Sequence, residues 1–421
     1  MKILIRSGRV VDPASGRDAV GDLAIAEGRL CEALPGKPDR IIDAKGLVVA
    51  PGLIDVAARL REPGYEYKAT LESEMDAAVA GGVTSLACPP DTDPPLDEPG
   101  LVDMLRRRAK VLSRARVYPV GALTVKLAGE RLTEMAELAE AGCVAFSQAD
   151  EPLPDTQVLW RALQYAATFG FPVWLRAEDH WLARGGVAHD GELATRLGLP
   201  GIPAFAETIA LGTLFELVRA TGTRLHLCRL SSAAAVDMVR KAKLEGLPIS
   251  CDVAIHHLHL SELDLGYFDS HCRLVPPLRS QRDRDALAAG LADGTIDCVC
   301  SDHTPVDEDQ KQMPFSEAEP GATGLELLLP LTLKWGAQQK LPLAKVLGRV
   351  TSDPARILGV HSGRLQPGAP ADIVVFDPGA AWRVTPDALR SQGKNTPYLG
   401  YELEGQVRYT LVAGNVVFEQ A

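Results

Sequence analysis

Residues 223–246, TRLHLCRLSSAAAVDMVRKAKLEG, set a pattern that the middle of the chain repeats: a short apolar run, then a longer stretch with helical spacing. The short run recurs as GVTSLACPP (82–90), ARVYPVGAL (115–123), CVAFSQ (143–148), FPVWLRAED (171–179), LPISCDVAI (247–255) and TIDCVCSD (295–302). Stretches such as LVDMLRRRAKVLSRA (101–115) and TEMAELAEAG (133–142) lie between them. Roughly eight such units predict an α/β fold, a (β/α)8 TIM barrel over residues 51–360, with site residues at the strand C-termini. The flanks have another texture. KILIRSGRVVDP (2–13), DLAIAEGRL (22–30) and GLVVAPG (46–52), then GRLQPGAPADIVVFDP (363–378) and QVRYTLVAGNVVFEQA (406–421), alternate apolar and polar residues between turns. They predict a small β-sandwich domain formed by the N-terminal segment, 1–50, and the C-terminal segment, 361–421.

The composition narrows the function. Among 421 residues, 46% are hydrophobic, and 44 basic side chains face 55 acidic ones for a net charge of −11. That balance argues against a nucleic-acid partner, which would select a basic stripe, and against a polybasic membrane contact. No apolar run approaches the 18 or so residues of a membrane span. Eight cysteines are scattered without a CxxC pair, which reads as reduced thiols in a cytoplasmic protein. A phosphate-binding glycine loop, an HExxH helix and a GxSxG elbow are all absent.

Five segments carry a specific resemblance: PGLIDVAARLREPG (51–64), SDHTP (301–305), PGATGLELLLP (320–330), GRLQPGAPADIVVFDP (363–378) and GKNTPYLGYELEGQVRYTLVAGNVVF (393–418). In this order they resemble the dihydroorotases of the amidohydrolase superfamily. The resemblance implies one or two zinc ions, held by an HxH pair after the first strand, histidines on strands five and six, a carboxylate or carbamylated lysine on strand four and an aspartate on strand eight. Such ligands donate lone pairs to the metal, which lowers the pKa of its bound water.

The matching positions here read Ala57 and Arg59 for the pair, Gln148 on strand four, Arg176 on strand five, Arg229 on strand six and Asp302 on strand eight. Only Asp302 keeps the family residue. An alanine offers no ligand atom, and a guanidinium carries five N–H donors and no lone pair. The substrate positions implied by the resemblance also differ. Arg61 of the REPG motif is present, but Asp91 stands where a carboxylate-binding asparagine is implied, Val275 opens the NPPLR-like loop, and Val306 replaces a histidine. The expectation is therefore a pseudoenzyme with no catalytic residue, no metal and no cofactor. At least one of Arg59, Arg176 and Arg229 is expected to contact Asp302.

His256, His257 and His259 are expected to be satisfied structural residues, and Cys298 and Cys300 small buried ones. A thiolate metal site rebuilt from them with Cys228 or His303 is the alternative. Residues 306–321 are expected to form a polar loop over the barrel mouth, either partly disordered or a docking surface. By resemblance, the chain is expected to support aspartate transcarbamoylase as a non-catalytic subunit in pyrimidine biosynthesis, within a homo- or hetero-oligomer. An active cyclic-amide hydrolase with a rebuilt metal site, or an anion-binding sensor built on the arginines, are the other readings.

Overall fold

Eight short parallel strands pair in chain order: β1 (Leu53–Asp55), β2 (Val83–Cys88), β3 (Arg116–Ala122), β4 (Ala145–Ser147), β5 (Val173–Leu175), β6 (Leu225–Leu227), β7 (Ile249–Ala254) and β8 (Cys298–Cys300). The computed structural model describes residues 1–420. The last strand returns to the first just beyond their ends. Ala58 and His303 form a parallel bridge, and the Ser301 amide donates to Asp55 Oδ1 at 2.9 Å. The result is a nearly closed barrel.

Burial on both faces explains why these strands read as continuous apolar runs. Ile54, Ala87, Val120, Ala145, Trp174, Ala254 and Cys300 fill the bore. Leu225, Leu227, Val173 and Leu175 face outward into the core shared with the helices. Local caps set the helix starts. Ser232 Oγ accepts from the Ala235 amide at the start of Ala233–Leu244, and Thr70 and Ser73 form a capping box before Leu71–Ala80.

The two ends of the chain join in a separate eight-stranded sheet. Lys2–Asp12 pairs antiparallel with Arg17–Ala26 and parallel with Arg40–Asp43 and Val48–Pro51, and Val48–Pro51 then pairs antiparallel with Ile373–Arg383. Its core is Ile3, Ile5, Ile25, Ile42, Val49, Ile373 and Leu411. Among the described residues, no helix is long and apolar enough to cross a membrane.

Glu74 ties the barrel mouth to the C-terminal segment. This fully buried carboxylate lies 2.6 Å from His303 Nε2 and accepts from Ser391 Oγ at 2.6 Å and the Gln392 amide at 3.0 Å. Burial alone would raise its pKa, but His303, Ser391 and Ser73 outweigh burial and lower it. Glu74→Ala strands these partners in the interior and is expected to cost about 3 kcal/mol. A lowered urea midpoint checks this. An unchanged midpoint would show that the network contributes nothing.

Candidate active site

The mouth is built by residues that follow the strands immediately, where a TIM barrel presents its chemistry. Arg59 follows β1, Asp150 follows β4, Arg176 follows β5, Arg229 follows β6 and Asp302 follows β8. The backbone is strained here. Arg61, Ala149, Arg229 and Asp302 have φ values of 61°, 53°, 55° and 48°, a left-handed region that side chains other than glycine seldom adopt. Each such residue costs on the order of 1–3 kcal/mol, and such strain clusters at functional sites.

Asp150 is the hub. Arg59 NH2 donates to its Oδ2 at 2.6 Å, Arg176 Nε donates to its Oδ1 at 2.7 Å, and Arg229 NH2 donates to the same oxygen. Asp302 is a second centre, with Arg229 NH1 at 2.9 Å and Arg59 NH1 at 3.5 Å from its Oδ1. Arg59 also donates from Nε to Asp91 at 2.6 Å and from NH1 to Thr304 Oγ1 at 3.0 Å. Arg176 pairs at 2.6 Å with Glu178 and does not reach Asp302. Arg59, Arg61, Arg176, Arg229 and Lys68 thus face Asp91, Asp150, Glu178, Asp302 and Glu319, and the mouth is close to neutral.

The two central carboxyls respond in opposite directions. Burial alone would raise Asp150, but Arg229, Arg59 and Arg176 outweigh burial and hold it far below the usual carboxylate range. At Asp302 burial prevails over the attraction of Arg229 and Arg59, and its pKa is raised. For Asp150 the unfolded chain binds the proton more readily, so its stabilisation is complete above the unfolded value of about 3.9 and disappears as pH falls below it. The wild-type unfolding midpoint is expected to fall steeply below about pH 4, and an Asp150→Asn variant to show a shallower slope. Equal slopes in the two acid titrations would contradict the assignment.

The remaining predicted positions are placed as follows. Ala57 packs on the apolar bore cluster. Gln148 turns away from the arginines, donating to the Leu127 carbonyl at 2.7 Å and accepting from Thr124 Oγ1 at 2.9 Å. Arg61 donates to the Pro305 carbonyl at 2.8 Å, and the Val275 carbonyl accepts from Arg229 at 3.3 Å. A cleft of about 360 Å³ opens beside Asp150 and Arg176, with Glu151, Leu159, Glu178, Trp181 and Leu214 in its wall.

Among the three histidines, His257 Nε2 contacts the Pro276 carbonyl at 3.1 Å and His259 Nε2 the Leu331 carbonyl at 2.9 Å. His256 is not satisfied by hydrogen bonds. Both its ring nitrogens lack a hydrogen-bond partner among the described residues, and the ring stacks on Tyr398 at 5.8 Å. Residues 306–321 include a helix, Glu308–Gln312, anchored by buried Lys311, which donates to the Ser270 carbonyl at 3.0 Å.

Below the mouth, His226, Cys228 and Asp252 present one ligand atom each within 4.8 Å of one another. This corrects the expectation that the chain offers no metal-holding group. The guanidinium groups of the mouth supply N–H donors rather than lone pairs. The nitrogen, sulfur and oxygen donors of this deeper set fit a borderline cation such as zinc. When bound, such a cation supplies Lewis-acid character.

Comparison with known proteins agrees with this architecture. A Dihydro-orotase-like family model matches residues 46–235, and an Amidohydrolase family model matches residues 187–418. A dihydroorotase-like protein of Pseudomonas aeruginosa is 43% identical over 424 residues, covering 100% of each chain. A dihydroorotase of Syntrophus aciditrophicus is 40% identical over 425 residues, again covering 100% of each. The solved L-hydantoinase (dihydropyrimidinase) from Arthrobacter aurescens superposes with a TM-score of 0.88 at 23% identity, covering 99% of this chain and 96% of that one, a likeness of fold. The chain belongs to the dihydroorotase-like family of amidohydrolases. The expectation of a pseudoenzyme is corrected by the same findings: full-length relatives at 40% identity, from Syntrophus and Geobacter, are named dihydroorotases.

Asp150 and Glu178 were not among the candidate residues, although Asp150 lies two residues after Gln148 and Glu178 two residues after Arg176. Each is an acid within two residues of a singled-out position, which is the available signal. His226 and Asp252 carry no comparable signal, because single buried polar residues on apolar strands look alike in sequence.

Proposed function

We propose that the chain is a cyclic-amide hydrolase of the dihydroorotase type that takes an anionic ring at its arginine-lined mouth. The observation that carries this reading is the juxtaposition of Asp302 with Arg59 and Arg229 at the strand C-termini, in a chain whose full-length relatives include proteins named dihydroorotase. Asp302, whose pKa is raised, takes the proton of the attacking water. Arg59 and Arg229 stabilise the oxyanion that develops on the ring carbonyl. The departing ring nitrogen receives the proton, and the ring opens. Arg176, beside the cleft, attracts the substrate's carboxylate.

Calorimetric titration tests the substrate class. Dihydroorotate, which carries a carboxylate, is expected to bind at least about tenfold more tightly than unsubstituted hydantoin, a difference of about 1.4 kcal/mol. Equal binding of the two rings would refute an anion-selective mouth.

The chain is further proposed to act in a cytoplasmic assembly with the catalytic chain of aspartate transcarbamoylase. Its eight free cysteines support the compartment. Exposed Trp181 (67%), with Phe205 (54%) and Ile209 (48%) on the adjoining helix, supports an apolar partner surface. Copurification from native cells in a defined large complex is the expected result. Recovery of the chain alone, under conditions where known complexes survive, would overturn the assembly.

A further inference from the structure

We propose that the barrel bore holds a divalent zinc-type cation on His226, Cys228 and Asp252, beneath the arginine layer of the mouth. The inference goes beyond the hydrolase reading and does not depend on it.

Three observations carry it. The donors converge from neighbouring strands: His226 lies on β6, Cys228 follows it directly, and Asp252 lies on β7, with one ligand atom of each inside a 4.8 Å cluster. The imidazole is pre-oriented. Its Nδ1 lies 2.8 Å from Ser250 Oγ, which aims Nε2 toward Asp252 Oδ2, also at 2.8 Å. Partners of this kind fix the ring of a metal-ligating histidine. The carboxylate is fixed from its other side, where Asp252 Oδ1 accepts the Arg229 amide at 2.8 Å and Cys300 Sγ lies at 3.2 Å.

The chemistry selects the ion. A thiolate, a carboxylate and a neutral imidazole together carry two negative charges, which a divalent cation neutralises within an apolar bore. Sulfur and nitrogen donors disfavour magnesium and calcium. On binding, the cation displaces the thiol proton of Cys228 to solvent and replaces the direct contact between His226 and Asp252, while the imidazole proton shifts from Nε2 to Nδ1, which then donates to Ser250 Oγ. It would sit deeper than the guanidinium layer, with Arg229 as the link: the Arg229 backbone holds Asp252 while its side chain holds Asp302.

Cobalt(II) is the probe, because a cobalt–thiolate bond gives a near-ultraviolet charge-transfer band. The full-length chain, stripped with chelator and dialysed against cobalt(II), is expected to bind one ion per chain and develop that band. Cys228→Ser is expected to lose the band and weaken binding by about 10-fold or more, whereas Cys298→Ser keeps both. Wild-type protein with native circular dichroism and no band would overturn the proposal. A band that survives Cys228→Ser would also overturn it. The wild-type measurement decides the matter even if the variant fails to fold, and none of these readouts depends on hydrolysis.

Discussion

Asp150→Ala is expected to lower the stability of the chain by about 3 kcal/mol. The carboxylate is shared by Arg59, Arg176 and Arg229, whose side chains are only 8%, 9% and 6% exposed. Removing it leaves three desolvated guanidinium groups that repel one another, with Asp91, Glu178 and Asp302 as incomplete substitutes. The loss of a buried partner costs about 3–5 kcal/mol, and the 29% exposure of Asp150 places the expectation at the lower end because water screens part of the interaction. Asp150→Asn keeps the volume and loses the charge, so it should destabilise nearly as much. Asp91→Ala touches one guanidinium and should cost about 1 kcal/mol or less. Urea denaturation of the three variants checks the order. Equal midpoints for Asp150→Ala and Asp91→Ala would contradict the hub.

Asp302→Asn is expected to lower kcat by about 100-fold or more, the usual range for a general base being 10²–10⁴. Asparagine keeps an oxygen for Arg59 and Arg229 but cannot take a proton. Far-ultraviolet circular dichroism should therefore be unchanged while turnover falls. In the wild type, activity should rise with pH through the raised pKa of Asp302, since its ionised form is the base. Retention of wild-type kcat in Asp302→Asn would remove Asp302 from the chemistry. It would leave the stability argument for Asp150 standing.

The barrel was legible because its strands are buried on both faces, and therefore appear as apolar runs separated by helical stretches. Arg59, Arg229 and Asp302 were legible as a group through the dihydroorotase resemblance, which implies a strand end for each, and barrel closure brings strand ends together. Asp150 was not. Its importance arises from three guanidinium groups delivered by the ends of β1, β5 and β6, and no periodicity along the chain reports that convergence. Gln148, two residues earlier, shares its loop but points to Thr124 and Leu127. The same limit applies to His226 and Asp252, whose proximity depends on the register between β6 and β7. The expectation that the arginines end catalysis followed from the absence of lone pairs at the ligand positions that the resemblance implies. The assembled mouth instead presents opposed charges, a strained backbone and an adjoining cleft.

Ring opening of dihydroorotate by the purified full-length chain, run beside Asp302→Asn prepared identically, tests the central claim most directly. The account predicts turnover in the wild type that comigrates with the protein through size-exclusion chromatography and falls about 100-fold in the variant. The same slow rate in both preparations, or none in the wild type across cyclic amides of the dihydroorotate, hydantoin and dihydropyrimidine classes, would contradict it.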